Sequence, residues 1–275
     1  MNRLILVCLL GISLPVGAIV IRHDVDDSKY RVAKTEFPAL VDLPSEGHGV
    51  LISPQWVVTA AHAITWQSEV KRVDLIGKAR DVEKIIVHPG YKKLPQTLID
   101  PAVKTGDATQ IIDFLAAQDD IALIKLTDPV SDVAPAKIYS GSDELGKMVE
   151  LIGKGATGTG LIGQNASHRT EIRRAYNTII NVEDRWICYA FDKPPLGLKL
   201  EGISGDGDSG GPVLIKVKGE WQVAGLASWK KHIQDNALIL HPGFYGQKNY
   251  NVRLSHYEKW INDQIHEDST LVPRG

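Results

Sequence analysis

Between Ile19 and about Leu254 the chain alternates short apolar, β-branched runs with turn residues. GVLI leads through SP into QWVVTA; VDLIG, VEKIIVHP, IALIKL, MVELIG, NTIINVE and RWICYAF follow, and PVLIKV and WQVAGLAS flank KGE as a hairpin. Short β-branched runs bounded by Gly, Pro, Asn, Asp or Ser are strand signals, and their spacing predicts an all-β barrel or sandwich. The strand-helix alternation of a parallel α/β chain does not occur. Two stretches break the strand pattern. HYEKWINDQIHED has Tyr257, Trp260, Ile261 and Ile265 at helical spacing, which predicts a terminal helix over about 255–266, capped by Ser255 and docked by that face. Residues 92–119 form a long connection between VHPGY and DIALIKL, with a short helix predicted around GDATQIIDFLAAQ. Connections of that length are usually functional or mobile.

The two ends read as processing segments. Arg3, the apolar run LILVCLLGISLPV and Val16-Gly17-Ala18 have the layout of a secretory signal peptide, and the run is too short for a membrane span of about 20 residues. Cleavage after Ala18 makes Ile19 the mature terminus and predicts a secreted or periplasmic protein with no membrane attachment once the signal is gone. At the other end STLVPRG resembles a vector-derived thrombin-cleavage tag, so 267–275 is read as a tail.

Composition excludes some classes of partner. With 31 basic and 33 acidic side chains there is no charge bias toward nucleic acid or a membrane surface, and the chain is expected to be monomeric. Of two cysteines, Cys8 leaves with the signal, so Cys188 alone remains and no internal disulfide can form. An exported protein without one must be held by core packing. Cys188 in the apolar setting RWICYAF reads as a buried small hydrophobe. The nine histidines include no HExxH, and neither a metal nor a cofactor is expected.

Three separated pieces carry what nucleophilic acyl transfer needs: a hydroxyl, a base, and a carboxylate to fix the base's tautomer. They are Ser209 in GDSGGP, His62 in VVTAAH and Asp120 in DIALIKL. Asp119 is the alternative carboxylate, but one residue out of phase on a strand it points to the opposite face. The order His, Asp, Ser and the strings SPQWVVTAAH, VHPGY, DIALIKL, GDSGGPV, ASW and VRLSHYEKWI resemble the chymotrypsin-like (trypsin-fold) serine endopeptidases, from Ile19 to about Ile265. The resemblance implies two packed six-stranded antiparallel β-barrels, over about 19–135 and about 140–254, with the terminal helix behind them and a polypeptide substrate. It implies His62, Asp120 and Ser209 as the catalytic residues, Gly207 and Ser209 as the oxyanion hole, and Ser228 as support for Asp120. It further implies that a new Ile19 terminus pairs with Asp208, so that signal cleavage itself yields the active form. A plain strand beginning at Ile19 and Val20 is the alternative. A non-catalytic binding relative, or an esterase using the same three residues, remains an alternative to the peptidase.

Departures from the family pattern bear on rigidity and specificity. Ala63, Gly47 and Gly205 stand where most animal members have cysteines, which resembles a bacterial branch. The residues implied to line the primary pocket are Ile203, Ser204, Ser228, Trp229, Lys230 and Gly243. Ile203 replaces the aspartate of trypsin-type members, which disfavours cleavage after Lys or Arg, since a basic side chain would be desolvated unpaired. Ser204 and Ile203 point to an apolar or small side chain, and Lys230 keeps an acidic one open. Glu201 and Asp206 are nearby carboxylates, read as solvated loop residues.

Overall fold

The computed structural model describes residues 19–67, 69–166 and 171–271. The signal-peptide reading of 1–18 and the end of the tail, 272–275, lie outside the described residues. Strand β1 (Val20–Ile21) opens the described chain. Strands β2 (Leu40–Asp42), β3 (His48–Ser53), β4 (Trp56–Thr59), β5 (Arg72–Leu75), β6 (Lys78–Val87) and β7 (Ala122–Leu126) close into an antiparallel barrel in the order β2-β3-β4-β7-β6-β5. Then come β8 (Met148–Gly153), β9 (Thr157–Thr159), β10 (Gly163–Ala166), β11 (Arg173–Val182), β12 (Trp186–Ala190), β13 (Gly202–Ile203), β14 (Pro212–Val217), β15 (Glu220–His232) and β16 (Gln247–Arg253). Six of these close a second barrel, β11-β12-β16-β15-β14-β8, and β10-β9-β1-β13 form a small sheet beside it. The expected two six-stranded barrels are therefore present.

The continuous apolar runs have a direct cause. All five residues of β12, WICYA, are buried. Because side chains alternate across a strand, Trp186 and Cys188 enter one core while Ile187 and Tyr189 enter another. The first core fills barrel one and continues across the inter-barrel contact; the second is the interior of barrel two, closed by Ile19, Val20 and Ile21. Strand β14 divides the same way, Leu214 to the first and Val213 and Ile215 to the second. Cys188 is buried, free, and its thiol is pushed up by burial, as its apolar setting predicts.

Three helical details differ from expectation. The terminal helix spans Leu254–Leu271, longer than the predicted stretch; Tyr257 and Ile261 are buried on its docking face, with Trp260 and Ile265 packed alongside. Ser255 is not its cap: it lies inside the first turn and its hydroxyl donates to Glu144 Oε1 at 2.9 Å. The 92–119 connection holds two helices, not one. α2 (Gln96–Thr105) precedes the predicted α3 (Thr109–Ala116), with the five-residue α1 (Ala61–Thr65) further upstream and the terminal helix numbered α4. Pro101 in the middle of α2 argues against a helix from sequence. The segment is held instead by tertiary packing of Ala102, Ala108 and Ile111 against Leu94, Leu98, Leu115 and Leu238.

Candidate active site

His62 is the second residue of α1, which starts directly behind β4, and Asp120 lies two residues before β7. Strands β4 and β7 are neighbours, with Thr59 opposite Ala122, so the barrel brings the two side chains together. The His62 backbone N–H donates to Asp120 Oδ1 at 2.8 Å, and its ring Nδ1 lies 2.7 Å from Asp120 Oδ2. On its other edge, Nε2 lies 2.8 Å from Ser209 Oγ. Asp120 is 3% exposed, and Ser228 Oγ donates to its Oδ2 at 2.5 Å. A carboxylate oxygen so placed fixes the Nδ1–H tautomer, leaving Nε2 to accept the serine proton. Asp119 turns elsewhere: it accepts from Arg185 Nε at 2.7 Å and from the Tyr257 hydroxyl at 2.8 Å.

Ser209 comes from barrel two, and barrel one grips its loop. The His48 N–H donates to the Ser209 carbonyl at 2.7 Å and the Gly47 N–H to the Gly207 carbonyl at 3.2 Å. Gly207 has φ +85°, a conformation that explains glycine there. The N–H groups of Asp208 and Gly210 donate to Gly205 and Ala227, whereas those of Gly207 and Ser209 donate to no group among the described residues. Two unspent N–H donors beside the hydroxyl are what a developing oxyanion requires.

Asp208 is 3% exposed and accepts from the Gly155 N–H at 2.6 Å and the Gly205 N–H at 2.8 Å. A Cβ at Gly155 would come within 2.5 Å of the Asp208 carboxyl carbon, so glycine is required for this approach. Ile19 and Asp208 line the same small internal void with Tyr189 and Ser204. Val20 pairs with Ile203 in β13 and with Gly158 in β9, so the start of a strand and the approach of Ile19 to Asp208 occur together.

A buried histidine beside this group escaped the sequence reading. His48 is fully buried, its Nδ1 3.0 Å from Asp42 Oδ1 and its Nε2 3.6 Å from Asp208 Oδ1. Asp42 also holds Lys154 Nζ at 2.6 Å. Burial disfavours the His48 cation, but the Asp208 and Asp42 carboxylates outweigh it and raise the ring's pKa. The one available signal was a histidine opening the apolar run HGVLI, where a core position would be apolar.

The residues implied to line the pocket separate on inspection. Ser204 lines the small void shared with Ile19 and Asp208, Ser228 holds Asp120, Trp229 enters the core between the barrels and Lys230 stands opposite Asn249, whereas Ile203 is wholly buried in the interior of barrel two and Gly243 packs against Val20 and Gln164. Asn249, which the sequence reading missed, is 1% exposed and accepts from Ser204 Oγ at 2.7 Å. Glu201 corrects an expectation: it is not a solvated residue but 2% exposed, accepting from the N–H groups of Asp192 and Leu198 at 2.6 and 2.5 Å. It closes a loop rather than facing the pocket. Asp206 is exposed, as expected.

A cavity of about 220 Å³ borders His62 and Asp120 and is lined also by Tyr91, Leu94, Leu115 and Trp229. The α2-α3 insertion builds its outer wall, anchored to barrel two by the Leu238 N–H on Gly106, the Ala108 N–H on Asn236 and Trp186 Nε1 on Ala116. Another concavity, about 940 Å³ among Asp42, Lys71, Arg72 and Asp81, is open, charged and without a nucleophile-base pair. Among the described residues no group of three or more His, Cys, Asp or Glu is placed to hold a metal, and no helix is long and apolar enough to cross a membrane.

His62 sets an expected pH dependence. Burial alone would favour its neutral form, but the Asp120 charge and hydrogen bond prevail and raise its pKa above the ordinary 6.5, with Lys230 opposing. The base must be neutral to accept a proton, so kcat/KM should fall as pH drops through a midpoint above 6.5. Asp120→Asn should move that midpoint to lower pH. A pH-rate profile of both proteins checks it, and an unmoved acid limb would contradict the assignment.

A two-barrel fold with a serine, a histidine and a buried aspartate in hydrogen-bond sequence across the interface defines the class of two-barrel serine hydrolases. Residues 27–261 match the family described as Trypsin, and the chain belongs to that family of serine peptidases, whose members act on polypeptides. It is 30% identical over 236 residues to a trypsin of Phaedon cochleariae, covering 78% of this chain and 77% of that one. It is also 27% identical over 244 residues to a mouse tryptase, covering 80% and 78%.

Proposed function

We propose that this protein is a secreted serine endopeptidase that cleaves peptide bonds through an acyl-enzyme on Ser209 and does not select Lys or Arg. The observation that carries the reading is the chain of short contacts from Ser209 Oγ through His62 to Asp120, 2.8 and 2.7 Å. His62 Nε2 removes the Ser209 proton as Oγ attacks the substrate carbonyl, and the Gly207 and Ser209 N–H groups receive the oxyanion. The imidazolium, stabilised by Asp120, then gives its proton to the leaving amine. Water repeats the sequence to release the acyl group. Family membership supports peptidase over esterase activity, and all three residues argue against a binding-only relative.

Activation follows the same reading. The backbone at Ile19 has φ +62°, a strained value for a β-branched residue within a chain. As a terminal residue Ile19 has no preceding carbonyl, and its ammonium becomes a partner for Asp208. Lys or Arg selectivity is disfavoured because the residue six before the nucleophile is apolar and packed in the core, with no carboxylate in its place.

The test is labelling of the processed chain with a fluorophosphonate. Expected is one label, on Ser209, absent from Ser209→Ala. An unlabelled wild-type protein starting at Ile19 would overturn the enzyme reading.

A further inference from the structure

Lys230 is the register partner of Asn249 across β15 and β16. Directly opposed residues of an antiparallel pair send their side chains to the same face. On that face Asn249 Oδ1 accepts from Ser204 Oγ at 2.7 Å, five residues before the nucleophile. The next pair along, Trp229 and Tyr250, stacks at 3.9 Å on the opposite side and enters the inter-barrel core. The strand therefore presents Lys230 to the face where Asn249 meets Ser204, on the loop that leads to Ser209, and hides its neighbour.

The charge on Lys230 is unusual in its setting. The side chain is partly buried, and among the described residues no carboxylate lies within ion-pair distance of its ammonium. Burial lowers its pKa, with Asp206 and Asp208 opposing from longer range. The same ammonium opposes protonation of His62. Asp208 has its own backbone N–H donors, and Asp206 is exposed on the rim. A cation held partly out of water without a direct partner is costly, and a carboxylate delivered to it recovers that cost; a second cation would add to it.

We infer that Lys230, set opposite Asn249 and beside Ser204, selects substrates with an acidic side chain, glutamate or aspartate, on the residue whose carbonyl Ser209 attacks. The inference rests on the serine endopeptidase reading and names its substrate class. The ammonium donates a charge-assisted hydrogen bond to the substrate carboxylate, while the Asn249-Ser204 pair supplies the polar wall behind it. Glutamine, the same shape without the charge, gains far less, and lysine is repelled. Lys230 is a specificity-determining residue and takes no part in proton transfer.

The experiment measures kcat/KM for the processed full-length chain on matched peptides differing only at that residue: Glu, Asp, Gln, Ala, Leu and Lys. Glu or Asp is expected to exceed Gln by roughly 10- to 100-fold. Lys230→Met should bring the Glu-to-Gln ratio close to one, and Lys230→Glu should reverse the order of Glu and Lys. Fluorophosphonate labelling of Ser209 in each variant verifies an intact site. A labelled wild type that takes Gln, Ala or Leu as well as Glu overturns this inference alone, as does an acidic preference that survives Lys230→Met. A wild type that takes no label overturns the endopeptidase reading and this inference with it.

Discussion

Ser209→Ala and His62→Ala should each lower kcat by roughly a millionfold, and the double variant should be no slower than either single one. The expectation follows from the geometry of a unit. Ser209 Oγ has one base within reach, His62 Nε2 at 2.8 Å, so removing either partner removes the same proton transfer. What survives is the pair of N–H groups at Gly207 and Ser209 and whatever binding the cleft provides, worth about 10³–10⁴ over water in comparable sites. Steady-state kinetics on one peptide substrate across the three variants decides it. Losses that multiply would mean that the two side chains act in separate steps, contrary to the acyl-enzyme mechanism proposed here.

An uncleaved extension before Ile19 should lower kcat/KM by about a hundredfold or more. Asp208 is buried with two backbone N–H donors but, among the described residues, no Lys or Arg in contact, and His48 Nε2 stands 3.6 Å away. Leaving a buried carboxylate without its ammonium costs on the order of 3–5 kcal/mol. That cost falls on the loop that carries Gly207 and Ser209, so the oxyanion donors lose their arrangement first. The measurement compares a chain that starts at Ile19 with one bearing a single added alanine, both made with Asp208 intact. Equal activity in the two would refute the terminal pairing and leave Ile19 as no more than the start of β1.

The parts of the fold that sequence reading reached, and those it did not, separate for physical reasons. Strands such as β12 and β14 were legible because burial on both faces makes their apolar runs continuous. The two-residue strands β1 and β13 are too short to carry any period, yet they place Ile19 and Ser204. Helix α2 was hidden by Pro101, whose local penalty is overridden by the packing of Ala102. At the candidate site, His62, Asp120 and Ser209 stood out because each sits in a distinctive local string. Asn249 did not, because only the register of β15 against β16 brings it to Ser204. The Asp42-His48-Asp208 cluster is likewise assembled by the fold: Asp42 and His48 face each other across β2 and β3, and Asp208 reaches them from the far end of the chain. Glu201 misled because a carboxylate in a loop is usually solvated, whereas this one satisfies two backbone donors in the interior.

The empty cysteine positions give the barrels a second significance. A Cβ on Gly47 would lie 3.3 Å from the Ala63 Cβ, so the two face each other where relatives carry a bridge, yet nothing covalent joins them. For a peptidase the danger in such looseness is self-digestion, since any segment that opens locally offers itself to a neighbouring copy. Strands β12 and β14 answer it by serving as walls of two cores at once. Neither core can loosen without exposing the other, so opening becomes a property of the whole chain. For the peptidase proposed above, cleavage within these two strands then depends on how seldom the entire molecule unfolds.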